Sequence, residues 1–467
     1  MEALLTNFLN TINDPLGGLM VFLLALTGVW FTIQTRGVQF RLIGEMLRLL
    51  FRPEGTSGEG KHVSSFQAFT ISLASRVGTG NLAGVATAIV IGGPGAVFWM
   101  WVMALIGSVN TFVECTLAQL FKERAKDSFI GGPAYYITKG IGKRWFASIF
   151  AVAIICQFGL TNNMVQANTI SSAFTQAFGI SPYWMAAALT ALALLIVFGG
   201  IQRIAKVCAI IVPVMALGYL AIAVWIVLTN LELIPSVLRI IIENAFGLTP
   251  VVGGAIGRTV RMGFKRGLFS NEAGEGSAPN AAATASVSHP VKQGLIQTLG
   301  VFTDTLVVCS CTAFIILCSG LYADGANGIE LTQIALSHHI GSIGQTLIAV
   351  AILFFAFSSI IGNYYYGESN VAFLCNGWRH THYVVNVYRL VLGLLVFLGS
   401  LMTIDLVWAL VDFCMVIMTS CNLIAILILG RYALRLLDDY QQQRRAGRNP
   451  VYHASTCPEI ADKTECW

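Results

Sequence analysis

Apolar runs of about twenty residues, separated by short polar connections, follow one another from Leu16 to Gly430. At about 1.5 Å of rise per residue such a run crosses the roughly 30 Å hydrocarbon layer of a bilayer, so each predicts a membrane-spanning helix. The runs fall at 16–35, 65–91, 97–120, 145–170, 181–201, 207–228, 253–285, 295–320, 346–373, 384–402 and 405–430, and a polar tail occupies 431–467. The pattern predicts one all-α polytopic membrane domain with eleven transmembrane helices.

Two of these runs are interrupted. The run 65–91 contains Ser75-Arg-Val-Gly-Thr-Gly-Asn81, and the run 253–285 contains Ser270-Asn-Glu-Ala-Gly-Glu-Gly-Ser-Ala-Pro279. Glycines in a span can serve close helix packing. An arginine and an asparagine beside them argue instead for a broken helix, and a break must face protein, water or ligand, because lipid cannot satisfy its backbone groups. Setting 16–35 aside as an extra N-terminal helix, the other ten runs divide into five (65–228) and five (253–430). An odd number makes the second set start from the opposite side of the membrane, an inverted repeat. Each set opens on its broken member, and paired breaks of this kind mark a transporter's solute site near the midplane.

Loop charge orients the chain. Lys122, Arg124, Lys126, Lys143, Arg144, Arg203, Lys206, Lys292, Arg379 and the tail residues Arg431, Arg435, Arg444 and Arg445 all fall on one predicted side. The connections around Gly93, Ser171 to Pro182, Leu321 to Gly344 and Thr403 carry no lysine or arginine. By the positive-inside rule the N-terminus lies outside, followed by Arg36, Arg41, Arg48 and Arg52 inside, and the tail lies in the cytoplasm. One cluster, Arg239, Arg258, Arg261, Lys265 and Arg266, breaks the pattern. The expectation there is a surface segment at 231–246 and pairing of the later residues with Glu243, Glu272 or Glu275.

Composition agrees with the pattern: 56% hydrophobic, 11% charged, mean hydropathy +0.72. The net charge of +5 is dispersed, so it does not describe a nucleic-acid surface. Most of the eleven cysteines lie within apolar runs and read as small buried hydrophobes without zinc spacing. The seven histidines form no metal motif, and His338-His339 falls in a polar connection. No phosphate-binding loop is present, which argues against ATP, and no nucleophile and base stand on neighbouring spans, which argues against an enzyme.

The half-helix starting near Asn81 presents unpaired amides and a positive dipole end, fit for a carboxylate. The half-helix ending near Ala74 presents carbonyls, fit for an ammonium group or a small hard cation. A small zwitterion satisfies both. Asn162 and Gln166 are four apart and share a helix face. Ser358-Ser359 supplies two hydroxyls, with Asn363 one turn below, although such hydroxyls also bond back to their own helix. Glu114, Asp304, Asp405 and Asp412 are intramembrane acids and therefore candidates, with pairing to Arg76 the plain alternative for Glu114.

The stretch Gly92-Gly-Pro-Gly-Ala-Val-Phe-Trp-Met-Trp101 through Gly107, together with Val77-Gly-Thr-Gly-Asn-Leu-Ala-Gly84 and Phe269 to Pro279, resembles the alanine or glycine:cation symporters. The resemblance runs from the first helix to Gly430. It implies the LeuT-type fold, one helix plus a five-and-five inverted repeat, and uptake of alanine, glycine or a similar small amino acid with sodium across a bacterial or archaeal cytoplasmic membrane. It implies no cofactor beyond sodium as coupling ion. By the same likeness, the amides of Thr79 and Gly80 receive the substrate carboxylate, with Gly78, Gln166, Gly274, Ser359 and Asn363 around it. The carbonyls of Ala74 and Val77 with the hydroxyls of Ser358 and Ser359 form the sodium site, and Asn81 serves a second ion. Asn363 stands where many relatives carry tryptophan. Proton coupling through Glu114 or Asp304 is the alternative, and an ion channel a weaker one.

Overall fold

The computed structural model describes residues 2–51, 63–125, 128–247, 256–376, 378–402 and 404–467. Arg52, Lys126, Thr403, residues 253–255 and the side chain of Asp405 lie outside this description. Among the described residues the only sheet is a two-residue ladder, Glu123–Arg124 against Phe129–Ile130, and the rest of the regular structure is helical.

Among the described residues, eight helices are long and apolar enough to cross a membrane: Leu4–Gln34, Ala96–Leu120, Arg144–Phe178, Gly200–Thr229, Pro290–Ser319, Ile343–Leu374, Thr381–Gly399 and Leu406–Arg445. The other three expected runs are helical but shorter. Pro182–Val197 begins on a proline suited to a first turn and stops ahead of Gly200, whose φ of +69° turns the chain. The remaining two are the interrupted runs. Outward faces are apolar: Ile210, Val214 and Leu217, spaced 4 and 3 apart on Gly200–Thr229, are all exposed. Such a stripe belongs against lipid.

The first interrupted run opens with a reciprocal cap in which Ser64 Oγ accepts from the Gln67 amide and Gln67 Oε1 accepts from the Ser64 amide. Helix Ser65–Arg76 then stops at Val77 (φ −81°, ψ 88°) and the chain resumes as a π-helical turn, Gly80–Gly84, that continues into Val85–Gly92. The second is helix Ile256–Asn271, a linker, and Ala278–Ala282 with Pro279 in its first turn. Its linker uses positive φ at Glu272 (55°), Gly274 (85°) and Gly276 (89°). Glycine adopts this freely, whereas Glu272 is strained by about 1 kcal/mol or more and is kept there by its hydrogen bonds to Ser75 and Ser277.

Around these breaks the interior is polar. Arg76, Glu114, Glu272, Glu275 and Asp304 are all at most 2% exposed. Helix Ile234–Ala245 covers the segment expected at 231–246 and docks through Asn244, whose Oδ1 accepts from the Gly95 amide at 2.8 Å. Arg239 pairs with Glu243 as expected, but Lys265 reaches Asp412 at 2.6 Å rather than Glu272 or Glu275. Those two acids point inward to Ser75 and Gln157 instead. His338 and His339 close a regular helix, Gly328–Ile340, where a polar connection was expected; its apolar positions Ile329, Leu331, Ala335 and Leu336 bury one face and carry the two histidines with them. The cysteines are free thiols.

Candidate functional site

Where helix Ser65–Arg76 ends, its last carbonyls meet helix Ile343–Leu374. Ser359 Oγ lies 2.8 Å from the Ala74 carbonyl, 3.4 Å from that of Val77 and 3.0 Å from Phe355 O in its own helix. Three buried oxygens thus converge on one hydroxyl that can serve as either donor or ligand. The structure brings Ala74, Val77 and Ser359 together and leaves Ser358 out. The Ser358 hydroxyl bonds back to Phe355 O at 2.9 Å and faces Met215 Sδ, because adjacent helical positions diverge by about 100°.

On the other side of the break, Gln166 Oε1 accepts from both the amide (2.9 Å) and the hydroxyl (2.8 Å) of Thr79. Gln166 therefore occupies the Thr79 amide as an acceptor, in the manner of a carboxylate oxygen, and its Nε2 is held by Asn162 at 3.0 Å. A Cβ on Gly78 would stand 2.3 Å from Ser359 Oγ and 2.7 Å from Gln166 Oε1, so no side chain fits between these two groups. Gly80 meets Phe269 and the Ser270 backbone at 3.2 Å by the same construction. The glycines keep the two broken runs in contact and leave room for nothing larger than backbone.

Asn81 belongs to a second, separate group. Its Oδ1 accepts from the Gly78 amide at 2.9 Å, and its Nδ2 donates to Asp304 Oδ1 at 2.7 Å. Asp304 also takes Ser270 (2.9 Å) and Thr305 (2.8 Å) on Oδ2, and Cys309 Sγ completes the cluster. Asn363 belongs to a third: its Oδ1 faces Ser75 Oγ at 2.5 Å, Ser75 reaches Glu272 at 2.7 Å, and Asn363 Nδ2 has no partner among the described residues. Gly274 is in none of these. Its amide donates to Glu114, and its carbonyl accepts from Asn422 at 2.9 Å, which itself holds Glu114 at 2.7 Å. Glu114 is thus anchored by that linker and not by an ion pair with Arg76. Arg76 points away from the Ser359 carbonyls and donates to Gln297 O at 3.0 Å, within electrostatic reach of Glu114, Glu272 and Asp304.

A cavity of about 610 Å³ descends to Thr79 from the face that carries residues 6–10 and 327–330. Phe269 and Trp408 pack edge to face at 4.7 Å beside it. Ser75, Ser270, Ser277 and Phe269 lie in the stretches quoted from sequence but were given no role of their own there, and Trp408 was not named. Ser270 and Ser277 sit inside the second break, so proximity to the break was their available signal. Trp408 carried none.

Two broken helices crossing at a polar centre within a helical bundle define a LeuT-type transporter. A solved structure of MhsT in complex with L-phenylalanine superposes with a TM-score of 0.55 at 14% identity, covering 87% of this chain and 93% of that one. Residues 1–454 match the model of the sodium:alanine symporter family, and the chain belongs to that family; it is a transporter and not an enzyme. The amino-acid carrier protein AlsT of Bacillus subtilis is 49% identical over 468 residues, covering 100% of this chain and 98% of its own. A second Bacillus subtilis relative, named "Probable sodium/glutamine symporter GlnT", is 47% identical, with 100% and 97% covered. A sodium/proton-dependent alanine carrier protein from Bacillus sp. PS3 is 38% identical over 88% of this chain and 94% of its own.

Proposed function

We propose that this protein imports a small neutral amino acid, alanine, glycine or a close analogue, together with sodium, by alternating access. The single observation that carries the reading is the Ser359 hydroxyl set between the carbonyls of Ala74 and Val77, with the Thr79 amide two residues further on at the cavity floor. Oxygen ligands of this kind suit a hard monovalent cation, and the adjacent positive end of Gly80–Gly92 suits the carboxylate. The substrate carboxylate takes the place of Gln166 Oε1 on Thr79, with Gly78 and Gly80 allowing its approach. Asn363, with its free Nδ2, forms the lower wall. Relatives named for alanine favour a small substrate; the relative named for glutamine marks how far the preference ranges.

In this reading the chain crosses a bacterial or archaeal cytoplasmic membrane eleven times. Residues 65–228 and 253–430 are the inverted repeats, the N-terminus and the cavity face outward, and the tail is cytoplasmic. Purified protein in liposomes is expected to accumulate labelled alanine when sodium is imposed outside. Uptake indifferent to sodium would remove the cation assignment. One observation favours a second reading, proton coupling: the buried Asp304 carboxylate bonds directly to Asn81 at the break. Under that reading an imposed pH gradient alone drives uptake, and Asp304→Asn abolishes it.

A further inference from the structure

Arg266 sits on the wall of the cavity that leads down to Thr79, and the transport mechanism above makes no use of it. It is 8% exposed, and among the described residues its buried Nε and Nη1 have no hydrogen-bond partner. A guanidinium has five donors in a rigid fork, and its burial without acceptors is costly. What holds it is the face of Trp408, whose ring centre lies 4.3 Å from the guanidinium carbon. Asp412, which acts on it electrostatically, is already bonded to Lys265 at 2.6 Å. Two cations thus lie within electrostatic reach of one carboxylate, and the under-partnered guanidinium of Arg266 borders the cavity.

The rest of the wall suits the other end of a zwitterion. Asn168 spends both amide hydrogens on the carbonyls of Gly399 (3.0 Å) and Met402 (2.8 Å), so Oδ1 is the atom it can offer a ligand. Glu330 adds an exposed carboxylate to the same cavity's lining. Trp408 also packs against Phe269, which stands over Gly80, so the aromatic under Arg266 is the one beside the break.

We propose that Arg266 is a vestibular carboxylate-binding residue: an α-amino acid docks on its fork, ammonium toward Asn168 and Glu330, before moving past Phe269 and Trp408 to the Thr79 amide. The inference rests on the amino-acid transport reading. Docking at Arg266 precedes sodium-dependent binding at the break, so it governs capture of the substrate and not turnover.

The test is alanine uptake by proteoliposomes carrying wild type, Arg266→Gln or Arg266→Lys. Loss of one charge-assisted hydrogen-bonding group is expected to raise the apparent KM about tenfold in Arg266→Gln. Arg266→Lys, which keeps the charge beside Asp412 but loses the fork, is expected to raise KM about threefold. Maximal rate and the sodium concentration for half-maximal uptake stay within about twofold of wild type in both. An unchanged KM in both, or a fall in maximal rate with KM preserved, overturns the proposal, the latter outcome making Arg266 structural. Where Arg266→Gln does not fold, the KM of Arg266→Lys decides. Wild-type protein that transports no amino acid under either gradient overturns the parent reading instead, which the variants cannot imitate.

Discussion

Ser359 Oγ and the carbonyl oxygen of Ala74 lie 2.8 Å apart across 285 positions of chain. The contact exists because helix Ser65–Arg76 stops where it does: one more turn would have consumed that carbonyl in its own ladder. Under the proposed function this pair, remote in sequence and close at a helix end, supplies two of the cation's ligands, and neither half works alone.

Ser359→Ala removes the hydroxyl and leaves the carbonyls facing a methyl group. Sodium is expected to be required at roughly tenfold higher concentration for half-maximal uptake, the loss expected for one directed oxygen. Alanine KM measured at saturating sodium should move less than threefold. Ser358→Ala, whose hydroxyl faces its own helix, should leave the sodium titration where it was.

Gln166→Glu tests the Thr79 amide. The substituted carboxylate keeps the shape of the side chain and adds a negative charge at the oxygen that already bonds Thr79. Like charge then opposes an incoming carboxylate, and alanine uptake at low concentration should fall by about tenfold or more. Equal uptake by Gln166→Glu and wild type would mean that the substrate does not use this amide.

Gly95→Ala tests the seat of the helix Ile234–Ala245. A Cβ there would come 2.3 Å from the Ala245 amide nitrogen, a backbone atom that cannot turn aside. Overpacking of this kind costs about 1–3 kcal/mol, so thermal unfolding in detergent should occur about 1–3 °C earlier. Asn244→Ala, which removes the acceptor of the Gly95 amide, should cost about 1 kcal/mol.

The tail gives a pH test. Trp467 Nε1 donates to Gln119 O at 3.0 Å and its ring lies over the ammonium of Lys122, beyond the end of helix Ala96–Leu120. Burial pushes Lys122 down from its ordinary 10.5 to about 7. Undocking the tail exposes one side of the amine and lets its pKa rise from about 7, so docking releases a proton in a pH window that opens near 7. Tail docking therefore strengthens as pH rises through that window and is insensitive to Lys122 below it. Limited proteolysis should cut the tail more slowly at pH 9 than at pH 7, and Trp467→Ala should weaken the protection at both.

Much of this architecture is written in runs of apolar residues, because a bilayer imposes one length on every crossing. The breaks were legible for the same reason: Gly78, Gly80 and the Ser270 to Pro279 segment stand where lipid punishes a bare backbone. The convergence of Ala74, Val77 and Ser359 followed from the likeness to the family. What stayed hidden was the direction of side chains. Ser358 and Ser359 are equivalent in composition and differ only by about 100° of helix rotation, which apolar periodicity does not resolve inside a wholly buried helix. Gly274 lies in the right segment but on its far side, tied to Glu114 and Asn422. The role of Lys265 was illegible because its partner, Asp412, arrives from a helix about 150 residues later.

The last long helix, Ile404–Arg445, has 42 residues and is therefore about 63 Å long, close to twice the thickness of a bilayer's hydrocarbon. Near one end Asp412 borders the vestibule, and near the other Asp439 holds His289 at the tail dock. Close to its midpoint Asn422 is fastened to Glu114 and Gly274. The helix is thus fastened at three levels, by Lys265 to Asp412, by Glu114 and Gly274 to Asn422 and by His289 to Asp439. Vestibule wall, polar centre and tail dock are therefore carried by one continuous helical backbone.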